Sequence, residues 1–145
     1  MEAEYQGVMK RGIAYIVDNI VLFSIFGAAH FLIFGTWIRH PPDINEPLTT
    51  HPVCLLYLTL YLGYFTVLEG MLGFTVGKRI MGLKVQKENG EPCDMREALI
   101  RNLLRAVDGI ASYLIGILLI ATSKKKQRFG DIVARTVVVK GEWDE

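Results

Sequence analysis

The apolar positions of this chain are clumped rather than spread. From Ile20 to Ile38 about 19 residues pass without a charged side chain, roughly what a helix needs to cross a bilayer. With its lead-in the pattern predicts a first span over about 12–38. A second apolar run predicts a span over about 53–74, after a proline-rich loop at 39–52. Leu83–Lys87 then alternates like a strand and Asn89-Gly90 signals a turn. Asp94, followed three residues on by Glu97, reads as a helix cap with its capping-box partner. The helix it opens, about 95–107, has two faces. Leu99, Ile100, Leu103, Leu104 and Val107 make one, and Glu97, Arg101, Arg105 and Asp108 the other. Beyond Gly109 the segment 110–122 is apolar but short for a crossing. The tail, 123–145, is expected to hold a short helix around Asp131 and a final strand at Val137–Val139.

These elements imply an all-α membrane protein with two transmembrane helices and a small cytoplasmic two-stranded β element. At 145 residues it is one domain. Hydrophobic residues make up 51% of the chain and charged residues 21%, and that balance, with the clumping, is what separates it from a water-soluble domain. Net charge near zero hides an asymmetry. Of the 16 lysines and arginines, two precede the first span and one, Arg39, lies in the following loop. Six fall in 73–101, one is Arg105, and six follow residue 122. The positive-inside rule then puts the N-terminus, the 73–101 region and the tail in the cytoplasm. Three full crossings would leave the tail outside. A re-entrant helical hairpin over 95–122, turning near Asp108-Gly109, resolves the conflict, and a third transmembrane helix is the alternative. The acidic N-terminus and its long apolar run do not read as a cleavable signal. Cys54 and Cys93 should lie at opposite ends of the second span, which argues against a disulfide and leaves no metal spacing.

Asp18 lies inside the first span or at its lip, where an ionised carboxylate costs about 2.5–3.5 kcal/mol and needs a partner or a task. Arg11 shares its helix face at about 10 Å along the axis, too far to pair directly, so each should meet a group on another segment. Glu69, near the far end of the second span, comes to a similar depth if the spans are antiparallel. Tyr57, Tyr61 and Tyr64 form one face of that span, either a hydroxyl-lined path or helix packing with satisfied phenols. His30 is expected to be hydrogen-bonded or interfacial. His40, His51 and Cys54 have irregular spacing and read as solvated loop chemistry rather than a metal set. Gly77-Lys78 is not a phosphate loop, because position 72 is Leu and Arg79 follows the lysine.

Four stretches in order resemble the RDD family of small membrane proteins, named for one arginine and two aspartates. They are Arg11-x-x-Ala14-x-x-x-Asp18, Thr75-x-Gly77-Lys78-Arg79-x-x-Gly82-Leu83-x-Val85, Arg101-Asn102-x-x-Arg105-x-x-Asp108, and Gln127-Arg128-x-Gly130-Asp131-x-x-Ala134-x-Thr136-x-Val138. Arg11 and Asp18 fit the arginine and the first aspartate. Asp131 fits the second, with Asp108 as its rival. Arg135 stands where relatives have a small residue. The resemblance implies a multi-pass protein, with transport or cation–proton exchange suggested, and it names no catalytic residue.

Two functions follow as expectations. In one, the chain is a subunit of a small transporter or cation/proton exchanger, with Asp18 and Glu69 as ion-binding or titrating carboxylates and Arg101 and Arg105 competing for them. Two spans enclose too little for a pathway, so this reading requires a homo-oligomer in the cell membrane. In the other, Arg11, Asp18, Glu69, Arg101, Arg105, Asp108 and Asp131 form a static network that docks the segments of a scaffold. The first six carry three charges of each sign, as a self-neutralising cluster would. No Ser–His, Cys–His or metal set sits on one side, so an enzyme is not expected, nor a cofactor. The expected partners are the lipid bilayer, further copies of the chain and a monovalent cation or proton, and no nucleic acid.

Overall fold

Two helices, α1 (Val8–Phe34) and α2 (Pro52–Met71), are long and apolar enough to cross a membrane. The computed structural model describes residues 4–35, 52–110 and 114–141, with side chains for 4–33, 35, 54–105 and 118–141. Only 28% and 17% of the most apolar windows of the two helices are buried, so their apolar side chains point outward. Ile16, Ile20, Phe23, Leu55 and Leu58 are among those exposed, an apolar surface that water would not tolerate and lipid would. α1 starts at Val8, within the lead-in expected ahead of the span, and is capped at Gly35, whose left-handed backbone donates its N–H to the Phe31 carbonyl. Residues 36–38 of the expected span lie outside the described residues. α2 ends at Met71 rather than 74, because the chain turns there into a five-residue helix, α3 (Val76–Ile80).

Strand β1 (Leu83–Lys87) pairs antiparallel with β2 (Thr136–Lys140), Val85 opposite Val138. The expected strand partners thus meet, and Tyr5 adds a bridge to Val139. Leu83, Val85 and Val138 join Ala14, Cys93 and Ala98 in a buried apolar cluster that seats the sheet against the ends of the helices.

Helix α4 (Met95–Ile110) runs back along α2. Met95 meets Gly70 near the end of α2, and the Arg105 guanidinium stands 4.0 Å over the Phe65 ring about one turn earlier in α2. Asp94 caps it, its Oδ1 accepting from the N–H groups of Arg96 and Glu97, while Glu97 leans to Lys87 at 3.8 Å. α4 runs through Asp108 and Gly109 and ends at Ile110, one residue past the expected turn, and 111–113 lie outside the described residues. The apolar segment is helix α5 (Leu114–Thr122), and the tail helix is α6 (Phe129–Val133). Gly130 sets α6 directly on α4: a Cβ there would stand 2.8 Å from the Arg101 carbonyl oxygen.

The faces of α4 are the reverse of a helix packed in water. Arg101, Asn102 and Arg105 are buried, whereas Leu99 and Leu103 are about half exposed. The polar stripe therefore turns to protein, and the apolar stripe turns away from it.

Candidate functional site

Three buried carboxylates, on α1, α2 and α6, organise the interior where the spans meet the short helices. Asp18 is held by neutral donors. Its Oδ1 accepts from the Tyr64 hydroxyl at 2.8 Å and the Gly77 N–H at 2.7 Å, and its Oδ2 accepts from the Thr75 hydroxyl at 2.5 Å. Among the described residues no lysine or arginine lies within ion-pairing distance of it. Gly77 is what lets α3 come this close: a Cβ there would overlap the Ala14 carbonyl and lie 3.0 Å from the Asp18 carboxyl carbon.

Glu69, fully buried, is answered by cations. The Lys78 ammonium donates to its Oε1, with Arg105 Nη2 at 3.7 Å, and its Oε2 meets Arg101 Nε at 3.3 Å and the Asn102 amide at 3.2 Å. Burial pushes the Lys78 ammonium down from its ordinary value. Glu69 opposes that, while Arg101 and Arg105 add to it, and the result is about 7. Consecutive residues of α3 thus touch the two span carboxylates, Gly77 on Asp18 and Lys78 on Glu69. The two carboxylates are thus bridged by neighbouring residues of one short helix.

Asp131 is the third centre. Arg11 Nη1 donates to Oδ2 at 2.8 Å, Arg101 Nη2 pairs with Oδ1 at 2.9 Å, and Arg128 reaches it through both Nε and its backbone N–H at 3.3 Å. Burial alone would raise this carboxyl, but the guanidinium groups of Arg101, Arg128 and Arg11 outweigh it and hold the group well below the usual carboxylate range. Arg101 joins the two anionic centres, with one nitrogen on Glu69 and another on Asp131.

Arg11 and Asp18 therefore do meet groups on other segments, as their spacing required. Arg101 and Arg105 go to Glu69, and none of the cations goes to Asp18. Asp108 lies in α4, and its side chain is outside the described residues. The expected three-against-three balance is altered by two residues that sequence reading left out of the cluster, Lys78 and Arg128. Among the described side chains five cations (Arg11, Lys78, Arg101, Arg105 and Arg128) face three carboxylates. Both stand in the stretches quoted above, next to or near a glycine, and their position in those stretches was the signal available. Of the tyrosine face, Tyr64 holds Asp18, Tyr61 donates to the Tyr15 hydroxyl at 3.3 Å and accepts from Arg105 at 3.5 Å, and Tyr57 packs edge-on against Phe26. His30 is buried beside Phe26, and His40 and His51 lie outside the described residues. Cys54 and Cys93 are free, at opposite ends of α2. Arg135 adopts a left-handed backbone with φ of 51°, a conformation that suits a small residue better than an arginine.

The model of the RDD family matches residues 5–135. The chain is also 30% identical to the uncharacterized protein YxaI of Bacillus subtilis (strain 168), over 92% of this chain and 95% of that protein. No solved structure matches it.

Proposed function

The chain belongs to the RDD family, and from that premise we propose that it is a multi-pass protein of the cell membrane, a homo-oligomeric subunit of a small transporter that exchanges a monovalent cation for protons. The observation that carries this reading is Asp18: a buried carboxylate in a membrane-length helix, held by two hydroxyls and an N–H rather than by a cation. Hydroxyls can turn from donor to ligand, so the arrangement leaves a negative charge that a small cation can satisfy. Glu69, with its lysine and arginines, is the neighbouring carboxylate through which charge is redistributed. Pairing of β1 with β2 supports a tail on the same side as the 73–101 region, because strands do not pair through a bilayer. The re-entrant course of 95–122 and a cytoplasmic N-terminus follow from that pairing and the positive-inside rule.

The test is ion-driven pH change in liposomes holding the purified protein, with Asp18→Asn beside it. Cation-dependent proton movement that disappears in a folded Asp18→Asn variant is the expected result. No movement with any of several monovalent cations, both proteins being folded, would discard the reading.

A second reading has its own observation. Glu69 and Asp131 are saturated by arginine and lysine, and their contacts tie α1, α2, α3, α4 and α6 together. That is what a static scaffold requires. In that case Asp18→Asn lowers yield and melting temperature and there is no flux to lose.

A further inference from the structure

We propose that α3, α4 and α6 form a collar seated in the headgroup–acyl boundary of one leaflet, and that the partner of this collar is an anionic phospholipid surface. The first ground is that the short helices are polar inward and apolar outward. α3 turns Lys78 inward, with Val76 and Ile80 exposed and the long side chain of Arg79 exposed beside them. α6 turns Asp131 inward, with Phe129, Ile132 and Val133 exposed. α4 buries its arginines and exposes Leu99 and Leu103. In water each of these faces would be reversed, whereas an interfacial helix buries its apolar side in lipid.

The second ground is depth. Counted back from Phe34, a hydrocarbon core of about 30 Å ends near Tyr15 at 1.5 Å per residue. Gly77 of α3 lies against Ala14 and Asp18, hence at that boundary. Asp131 of α6 is held by Arg11, about 6 Å further out. The apolar faces of the short helices thus continue the lipid-facing surface of the spans rather than standing clear of it.

The third ground is charge. Among the described side chains the cluster holds five cations to three carboxylates, and Arg11 Nη2 and Arg105 Nε find no hydrogen-bond acceptor there. Directly before α6 lie Lys124, Lys125 and Lys126, all exposed, with Lys125 reaching Glu88 and Lys126 the Tyr5 carbonyl, and Lys10 and Arg96 are exposed as well. A surplus of positive charge beside the collar favours phosphate-bearing anionic lipid over a zwitterionic surface.

The experiment uses the full chain with Trp37→Phe and Trp143→Phe, carrying one new tryptophan at a time: Ile132→Trp on α6, Ile80→Trp on α3, or Asn89→Trp in the strand turn as a control. Each is reconstituted in phosphatidylcholine vesicles with or without phosphatidylglycerol. Fluorescence is quenched either by lipids brominated near the top of the acyl chain or by aqueous iodide. At 132 and 80 bromolipid is expected to quench and iodide to be excluded, with the reverse at 89. In the mixed vesicles, replacing Lys124, Lys125 and Lys126 by Gln is expected to raise iodide quenching at 132 by about twofold or more. Iodide reaching both 132 and 80 as freely as 89 would overturn the collar. Bromolipid quenching that is indifferent to phosphatidylglycerol and to the lysines would overturn the anionic partner. Two reporter sites on separate helices keep the test decisive if one variant does not fold. The outcome is independent of whether the protein moves ions.

Discussion

A single hydrogen atom separates the glycine at 77 from a side chain that could not be there. The Gly77 N–H reaches Asp18 at 2.7 Å only because nothing projects between α3 and the Ala14 carbonyl. Gly77→Ala should therefore push α3 off α1 and cost about 1–3 kcal/mol as overpacking, seen as a lower melting midpoint in detergent; an unchanged midpoint would mean that the contact is not made. Lys78 next to it gives a pH signature. Its ordinary value is 10.5 and its folded value about 7. Between these the unfolded chain holds a proton that the folded chain has lost, so rising pH favours the fold across that window. Below about 7 both states are protonated and the contribution is level. The melting midpoint should accordingly climb from pH 7 towards pH 10, and Lys78→Met should flatten the climb. A wild-type midpoint that falls over this range would contradict the burial of the ammonium.

At the scale of elements, α4 is the piece on which the interior hangs. Arg101 alone touches Glu69 of α2 and Asp131 of α6, and its carbonyl is the surface on which Gly130 rests. Arg101→Met strips a shared cation from two buried carboxylates, and losing one partner of a buried pair costs about 3–5 kcal/mol. Leu103→Ala, on the outward face, should stay within about 0.5 kcal/mol. The ratio of the two effects, measured as unfolding midpoints, identifies which face of α4 is inside; similar losses would reverse the assignment. The amphipathic pattern of 95–107 was plain in the sequence, but whether its charged stripe faced protein or water was not. Periodicity reports that a helix has two faces, and the solvent around it decides which one is hidden.

For the whole molecule, the sheet carries the topological argument. Residues 83–87 and 136–140 are partners although the apolar segment 110–122 separates them. Single cysteines at Asn89 and Lys124, in a Cys54→Ser, Cys93→Ser chain, should react with a membrane-impermeant maleimide from the same side. A cysteine at Asn45, between the spans, should react from the other. Labelling of 89 and 124 from opposite sides would require a third crossing and would be incompatible with the paired strands.

The spans, the strands, the cap at Asp94 and the tail helix were determined by the sequence alone, because runs of apolar residues, alternation and capping residues act locally. So was the need for partners at Arg11 and Asp18, since two charges seven residues apart on one helix cannot satisfy each other. Their partners were decided only by tertiary structure. Asp131 lies 120 residues from Arg11, and Lys78 and Arg128 joined the cluster because two glycines let short helices close onto α1 and α4. The break near residue 109 was legible to within a residue, since α4 ends at Ile110, while the course of 111–113 lies outside the described residues. Charge, finally, is read from a sequence as a sum, and its balance inside the protein depends on which groups folding brings within reach of each carboxylate.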